Sequence, residues 1–308
     1  MAATYHEHIP VMLSECLDGL SIIPDGTYTD GTLGGGGHSA AILSQLGPEG
    51  TLYAIDQDDQ ALAASRTRIG DDDRFHPIKG NFGYLSTLLP TSTHGTINGI
   101  LLDLGVSTHQ LKAGDRGFSF QEEGPLDMRM GNLSGVSAYQ VVNEYDYEAL
   151  RDLIFHYGEE RQSRQIARAV IEARPIETTL ELRKVVSGAV NPKFLVKSLA
   201  RVFQGIRIEV NRELDMLKNV LQQSLDVLAP GGRLVVMSYH SLEDRLVKRF
   251  FKAGNLEGTI EKDFYGNVIS PIRQVNRQII VPGPEEIDRN PAARSAKLRI
   301  AEKVEVAS

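Results

Sequence analysis

Residues 27–38 read TYTDGTLGGGGH and residues 51–56 read TLYAID, with the helix-like HSAAILSQLG joining them. A short β-rich run, a glycine turn, a helix and a second apolar run make a βαβ unit, the building block of a parallel sheet. Four consecutive glycines, Gly34 to Gly37, weaken any helix or strand they occupy, so a backbone conformation or a close approach must require them. At the end of a strand and the start of a helix, such a turn offers its N–H groups to a ligand. Asp56 closes the second run about 20 residues further on, where an acidic side chain accepts ribose hydroxyls. The dinucleotide spacing G-x-G-x-x-G fails, because Ser39 stands where Gly34 and Gly36 would need a third glycine. The pattern predicts a nucleoside cofactor, and S-adenosylmethionine, with its amino acid and sulfonium and no pyrophosphate, meets it.

The alternation continues outward. Strands are expected at 27–33, 51–56, 74–79 and 97–104, with helices over 38–47 and 58–69. Residues 105–135 break the rhythm with Gly, Ser and Asp, and ordered loops of that length are usually functional. From 138 to 203 the pattern is helical, with one or two helices over 147–174 and another over 178–190. Val210, Leu214, Leu217, Leu221, Leu225 and Leu228 recur at helical spacing across 207–228 until APGG stops them. A buried strand follows at 232–240, then a helix over 241–254 and two late strands, RQIIVPG (277–283) and AKLRIAEKVE (296–305). The fold class is α/β: a Rossmann-like, doubly wound domain of residues 1–137 and 204–308, interrupted by an all-helical insertion at 138–203 that is a candidate for RNA recognition.

The chain has 308 residues, 41% hydrophobic and 24% charged, a composition that excludes disordered, collagen-like and coiled-coil classes. No apolar run approaches the roughly 18 to 20 residues of a membrane span, and the start lacks a basic flank before an apolar stretch, so a cytoplasmic, unprocessed protein is expected. Cys16 is the only cysteine, which excludes an internal disulfide and a cysteine-cluster metal site, and no metal is expected. The net charge of −7 hides an asymmetry. Residues 1–150 hold 7 Lys+Arg against 20 Asp+Glu, whereas residues 151–308 hold 26 against 20, so the basic second half can meet a polyanion that the acidic first half would repel.

Asp103, in GILLDLGVS, falls at the carboxyl end of the fourth strand beside the expected crevice. A carboxylate there suits methylation of an exocyclic amine, whose lone pair is delocalised into its ring until acceptors hold its protons and turn it towards the sulfonium. The D-P-P-Y motif of many amino-methyltransferases is D-L-G-V here, without the proline or stacking aromatic. The break segment supplies Arg116, Phe118, Phe120, Asp127, Met128 and Arg129, groups suited to a base and its phosphates. Arg161, Arg164 and Arg168 share a helical face, as do Lys193, Lys197 and Arg201. His240, at the end of the fifth strand, is either a packed hydrogen bonder or a group that orients the base. Two rival readings stay open on the residues alone: a nicotinamide-dependent oxidoreductase, and a non-catalytic RNA-binding or ribosome-assembly factor.

HIPVML, DGTLGGGGHS, AIDQD, GILLDLGVS, RGFSF with GPLDMRM, YGEER, FQGIRIEVNREL, LAPGGRLVVMSYHSLEDRLVKRFF and NPAARSAKLRIAE occur in this order between about residues 6 and 303. Together they resemble the MraW-type bacterial methyltransferases, which modify N4 of a cytidine in small-subunit ribosomal RNA. The resemblance implies S-adenosylmethionine as cofactor and 16S rRNA as partner, within a 30S subunit or a late assembly intermediate, with the enzyme a monomer or homodimer. It also implies cofactor contacts at Gly36, Gly37, His38, Asp56, Phe82, Asp103 and Gln110. Gly35 stands where relatives often carry arginine, and His109 where they often carry proline. The expected roles are Asp103 and His240 in catalysis, with Arg116, Phe118, Asp127, Met128, Arg129, Arg164 and Arg168 on the substrate.

Overall fold

The computed structural model describes residues 9–106, 116–131 and 135–305. It is a mixed α/β protein whose sheet runs β3-β2-β1-β4-β5-β9-β8. The strands are β1 (Thr27–Asp30), β2 (Thr51–Asp56), β3 (Phe75–Lys79), β4 (Ile97–Asp103), β5 (Leu228–Ser238), β8 (Ile272–Gln274) and β9 (Lys297–Lys303), and β6 (Glu261–Lys262) pairs with β7 (Val268–Ile269) in a separate hairpin. The first five strands of the sheet are parallel, and β9 and β8 are antiparallel additions at one edge. Sequence order reverses between β1 and β4, so the crevice above their carboxyl ends is the switch point where such sheets bind ligands.

Near-continuous apolar runs make these strands because helices cover both sheet faces. The pleat splits the core in two: Leu101 and Val235 pack with Tyr28, Ile42, Leu52 and Leu298, while Ile100, Leu102 and Val236 pack with Ile55, Leu217, Leu221 and Phe250. Helices α1 (Leu13–Leu20), α2 (Gly37–Gln45) and α3 (Asp59–Ile69) belong to this unit. Asp58 starts α3 by accepting from the Gln60 N–H, and Gly70 ends it.

By packing, the chain divides into Val106–Glu213 and a second unit of residues 5–105 with 214–308. The first unit is helical: Ala138–Glu144, Tyr147–His156, Ser163–Glu172, Thr179–Ala189 and Leu195–Asn211 surround Val141, Ile154, Ile166, Leu182, Val202 and Phe203. Ser137 with Gln140, and Thr178 with Glu181, form capping boxes that satisfy the first free N–H groups of their helices.

The structure corrects several boundaries. The helical unit is wider than 138–203, because Phe118, Leu126 and Met128 belong to its core. The 207–228 run is two helices, since Arg212 is left-handed at φ +50° between Leu195–Asn211 and Glu213–Val227; apolar spacing continues across the break and conceals it. Of the one or two helices expected over 147–174, the structure has two. RQIIVPG is not a strand: Ile280 makes only an isolated bridge to Leu298, and the edge strand is Ile272–Gln274. Strand β5 starts at Leu228, and its pairing skips from Ile97↔Leu228 to Gly99↔Arg233, so APGG bulges rather than ending the element before the strand.

Gly117, inside the helical unit, has φ +70°, and a Cβ there would lie 1.9 Å from the Pro125 carbonyl oxygen. The Gly117→Ala variant is expected to lose about 2–4 kcal/mol of unfolding free energy by urea denaturation. Unchanged stability would show that residues 116–131 are not structural.

Candidate active site

In the unit built on the sheet, the ends of β1, β2 and β4 are joined by hydrogen bonds. The Gly31 N–H donates to Leu101 O at 2.9 Å, the Leu33 N–H to Ile55 O at 3.0 Å, and the Asp103 N–H to Thr32 Oγ1 at 2.7 Å. The turn after β1 is thereby tied to β4 on one side and β2 on the other.

The glycines have separate reasons. Gly34 and Gly36 are left-handed, at φ +49° and +74°, where a side chain is strained. A Cβ on Gly37 would lie 2.5 Å from Pro10 Cγ, so this glycine exists for a close approach. Gly35, between Gly34 and Gly36, is not among the glycines of positive φ. The Gly34 N–H donates to Asp56 Oδ2 at 2.8 Å and the Asp58 N–H to Oδ1 at 2.9 Å. Burial pushes the Asp56 carboxyl up to about 6 in spite of these two donors. Each carboxylate oxygen keeps a second lone pair, the acceptor capacity a ribose diol uses.

Asp30 is fully enclosed, accepting from Ser39 Oγ at 2.7 Å and the Thr32 N–H at 3.0 Å, and burial raises its pKa. It therefore braces the turn. His38, on α2, has Nε2 3.1 Å from the Val11 carbonyl. A carbonyl only accepts, so Nε2 carries a proton, and Nδ1 lies 3.8 Å from Asp103 Oδ2. Asp103 Oδ1 accepts from the Tyr239 hydroxyl at 2.8 Å. Burial pushes Asp103 up to about 6, opposed by His38 and by the Tyr239 hydrogen bond. Phe82, half-buried in the turn after β3, follows Asn81, whose side chain caps that turn at the Gly83 N–H.

The structure thus brings Gly36, Gly37, His38, Asp56, Phe82 and Asp103 to one end of one sheet. Gln110 lies outside the described residues. Tyr239, Thr32 and Ser39 carry interactions that residue spacing missed. For Tyr239 a signal existed, because adjacent residues at a strand end point to opposite faces.

His240 has a structural task. It is the cap of the Ser241–Ala253 helix, with the Glu243 N–H 3.4 Å from Nδ1 and Glu243 Oε2 accepting from the Tyr239 and His240 N–H groups. Its ring is buried and Nε2 lies 3.1 Å from Glu243 Oε1. The cap uses Nδ1, and the buried Nε2 makes no hydrogen bond among the described residues.

The expected substrate residues lie in the helical unit and divide by burial. Phe118 and Met128 are 7% and 1% exposed within its core, so they do not present a stacking face; the aromatic and apolar content of a glycine-rich segment reflected packing. Asp127 and Arg129 form a two-point pair at 2.7 and 2.9 Å, and Arg116 donates to the carbonyls of Arg129 and Gly131. These three residues hold the segment folded. Arg161, Arg164 and Arg168 are exposed, opposite the buried Ile166, Ala167 and Val170. Lys193 and Lys197 are exposed around Phe194, itself 50% exposed, with the Lys193 ammonium 5.9 Å from its ring centre. Arg201 instead turns to Glu160 at 3.4 Å, so the expected three-residue stripe ends at Lys197.

A doubly wound sheet with a glycine turn after β1, a carboxylate at the tip of β2 and a half-buried carboxylate at the tip of β4 defines a nucleoside-cofactor enzyme of the methyltransferase type. The chain belongs to the MraW methylase family, whose model matches residues 5–304. "Ribosomal RNA small subunit methyltransferase H" of Parabacteroides distasonis is 51% identical over 301 residues, covering 96% of this chain and 97% of the relative. The protein of the same description from Flavobacterium johnsoniae is 50% identical, covering 99% of this chain and all of the relative. The solved structure of an rRNA methylase from Streptococcus thermophilus aligns with 97% of this chain and all of its own at 13% identity and a TM-score of 0.42.

Asp56 has a testable cost. Its raised carboxyl means that the folded state binds the proton more tightly than the unfolded state, whose value is near 3.9, so stability falls as pH rises from about 4 to about 6. The Asp56→Asn variant carries no such proton. Its unfolding free energy relative to the parent should shift in its favour between pH 4 and pH 7, by no more than about 3 kcal/mol. A pH-independent difference between the two proteins would contradict the burial argument.

Proposed function

We propose that this protein transfers the methyl group of S-adenosylmethionine to the exocyclic N4 of one cytidine in 16S rRNA. Family membership and relatives near 50% identity over almost the whole chain support rRNA methylation. The observation that carries the chemistry is Asp103, a carboxylate with its side chain 14% exposed at the β4 tip, in the same cleft as the glycine turn and Asp56.

Bound S-adenosylmethionine supplies an electrophilic methyl group on a sulfonium. Asp56 would accept the ribose hydroxyls, Phe82 would flank the adenine, and the Gly36–Gly37 turn would admit the ligand close to the backbone. Gln110 is assigned to the cofactor from the family motif alone. Asp103 Oδ2 holds an N4 proton, which localises the nitrogen lone pair for in-line attack. The bound cofactor would supply the methyl group with the C–S electron pair staying on sulfur, and Asp103 would take the proton that the amine releases as the N–C bond forms.

The target base leaves its stack to reach such a cleft. Arg161, Arg164 and Arg168, with Lys193 and Lys197, bear on phosphates, and the exposed Phe194 offers a stacking face. The surrounding RNA favours a 30S particle or late assembly intermediate over naked rRNA, because an acidic enzyme gains most from a preassembled surface. The reaction belongs to the cytoplasm, and no helix among the described residues is long and apolar enough to cross a membrane.

The deciding experiment incubates the protein and labelled S-adenosylmethionine with 30S subunits, naked 16S rRNA and assembly intermediates from a strain lacking this methylation, followed by nucleoside mass spectrometry. N4-methylcytidine at one site is expected. Binding of the cofactor with no label in any RNA would favour the non-catalytic assembly factor. The Asp103→Asn variant should bind cofactor while methylation falls by about 10²–10⁴-fold, and unaffected methylation would remove Asp103 from the mechanism. Charge reversal of Arg164 and Arg168 should raise KM for RNA about tenfold with kcat nearly unchanged and flatten its salt dependence.

A further inference from the structure

The active-site unit contains a second residue whose chemistry reaches Asp103. The Tyr239 hydroxyl, 2.8 Å from Asp103 Oδ1, is the one side-chain hydrogen-bond donor on that carboxylate among the described residues. The ring is confined: Gly105, left-handed at φ +105°, directs its missing Cβ to within 3.3 Å of Tyr239 Cδ2, so the phenol is seated against a position where a side chain would be strained and crowded. The Tyr239 N–H is itself held by Glu243 Oε2 at 2.9 Å, which fixes the backbone the ring extends from. Burial and the adjoining Asp103 charge raise the phenol well above its ordinary value, so it stays protonated and can only donate to that oxygen when Asp103 is ionised.

We propose that Tyr239 is a positioning residue that occupies Asp103 Oδ1, keeps the carboxylate ionised, and so directs Oδ2 as the single acceptor for the cytidine amine proton. This rests on the reading of Asp103 given above and extends it. A free carboxylate has two equivalent oxygens and rotates about its Cβ–Cγ bond. With Oδ1 engaged, rotation costs a charge-assisted hydrogen bond, and the amine meets one oxygen in one orientation. The bond also favours the charged form, because a phenol donates better to a carboxylate than to a carboxylic acid.

Groups on every neighbouring element bear on this titration. Asp30 on β1 and Glu243 on the Ser241–Ala253 helix raise Asp103, His38 on α2 lowers it, and the buried Cys16 thiol on α1 lies close enough for its own pKa to be raised by Asp103. His38 and Tyr239 are the two lowering influences, and Tyr239 is the one in hydrogen-bond contact.

In the reaction, the amine proton passes to Oδ2 as the N–C bond forms, leaving Asp103 neutral, and it is lost to water after product release. The test is the pH dependence of kcat for the Tyr239→Phe variant on the methylatable RNA, beside the parent and Asp103→Asn. Phenylalanine keeps the ring and removes the hydroxyl alone. The acidic limb of the profile is expected to move up by roughly one to two pH units, so that activity near pH 6.5 falls about three- to 25-fold and recovers towards the parent at pH 9. KM for the cofactor should change little. A uniform loss at every pH, with the limb in place, would show that Tyr239 only packs and would overturn the proposal.

If Tyr239→Phe does not fold, site-specific replacement by difluorotyrosine serves. Its more acidic phenol is a stronger donor and should move the limb down, and an unmoved limb again overturns the inference. Full activity of Asp103→Asn would instead sink the underlying reading of Asp103, whatever Tyr239 does.

Discussion

The hydrogen bond from the Asp103 N–H to Thr32 Oγ1 holds together what the rest of the site requires. Parallel strands diverge where the sheet changes direction, and their last N–H groups lose ladder partners at the point where a ligand must enter. Here those groups are taken up locally: Asp103 by the Thr32 hydroxyl, Gly31 by Leu101, and Leu33 by Ile55. Thr32 in turn is held by Asp30, which also takes the Ser39 hydroxyl from the first turn of α2. The glycine turn is consequently a rigid bridge between β1, β2 and β4, and Asp56 and Asp103 are carried on either side of it.

Placing carboxylates in such a setting is unfavourable, and the structure shows how far that cost is offset. Burial raises all three, Asp30 as well as Asp56 and Asp103, the last two to about 6, despite the donors each accepts from. An ionised acid with unspent acceptor capacity is poised for a hydroxyl or amine donor, and that capacity is what binding and proton transfer use. Elsewhere in the same unit, Asp244 is also partly buried, but Arg299 at 2.8 Å and Lys297 at 3.3 Å outweigh the effect of burial and hold it below the ordinary range. The contrast separates an acid spent on joining β9 to a helix from two left available for chemistry.

Much of this was legible in residue order because it is local. The glycine turn, the strand-ending Asp56 and Asp103, and the βαβ rhythm depend on neighbours within a few residues and on strand periodicity. What failed to read correctly was decided at long range. Phe118 and Met128 look like a binding surface in a glycine-rich loop, and only packing among the helices of their unit makes them core. Arg212 breaks a helix whose apolar spacing runs on undisturbed, since periodicity records which face is buried and not whether the axis is continuous.

Sequence by itself determined that the chain is an α/β nucleoside-cofactor protein with a helical interruption and acids at two strand tips, because strand pleat, turn chemistry and charge are properties of adjacent residues. Tertiary structure alone decided which oxygen of Asp103 is engaged and by what. Tyr239 lies 136 residues away along the chain and reaches that carboxylate only because β5 pairs in parallel beside β4, ending at the same edge of the sheet. Strand order and register are set by burial over the whole core, so no local reading contains them.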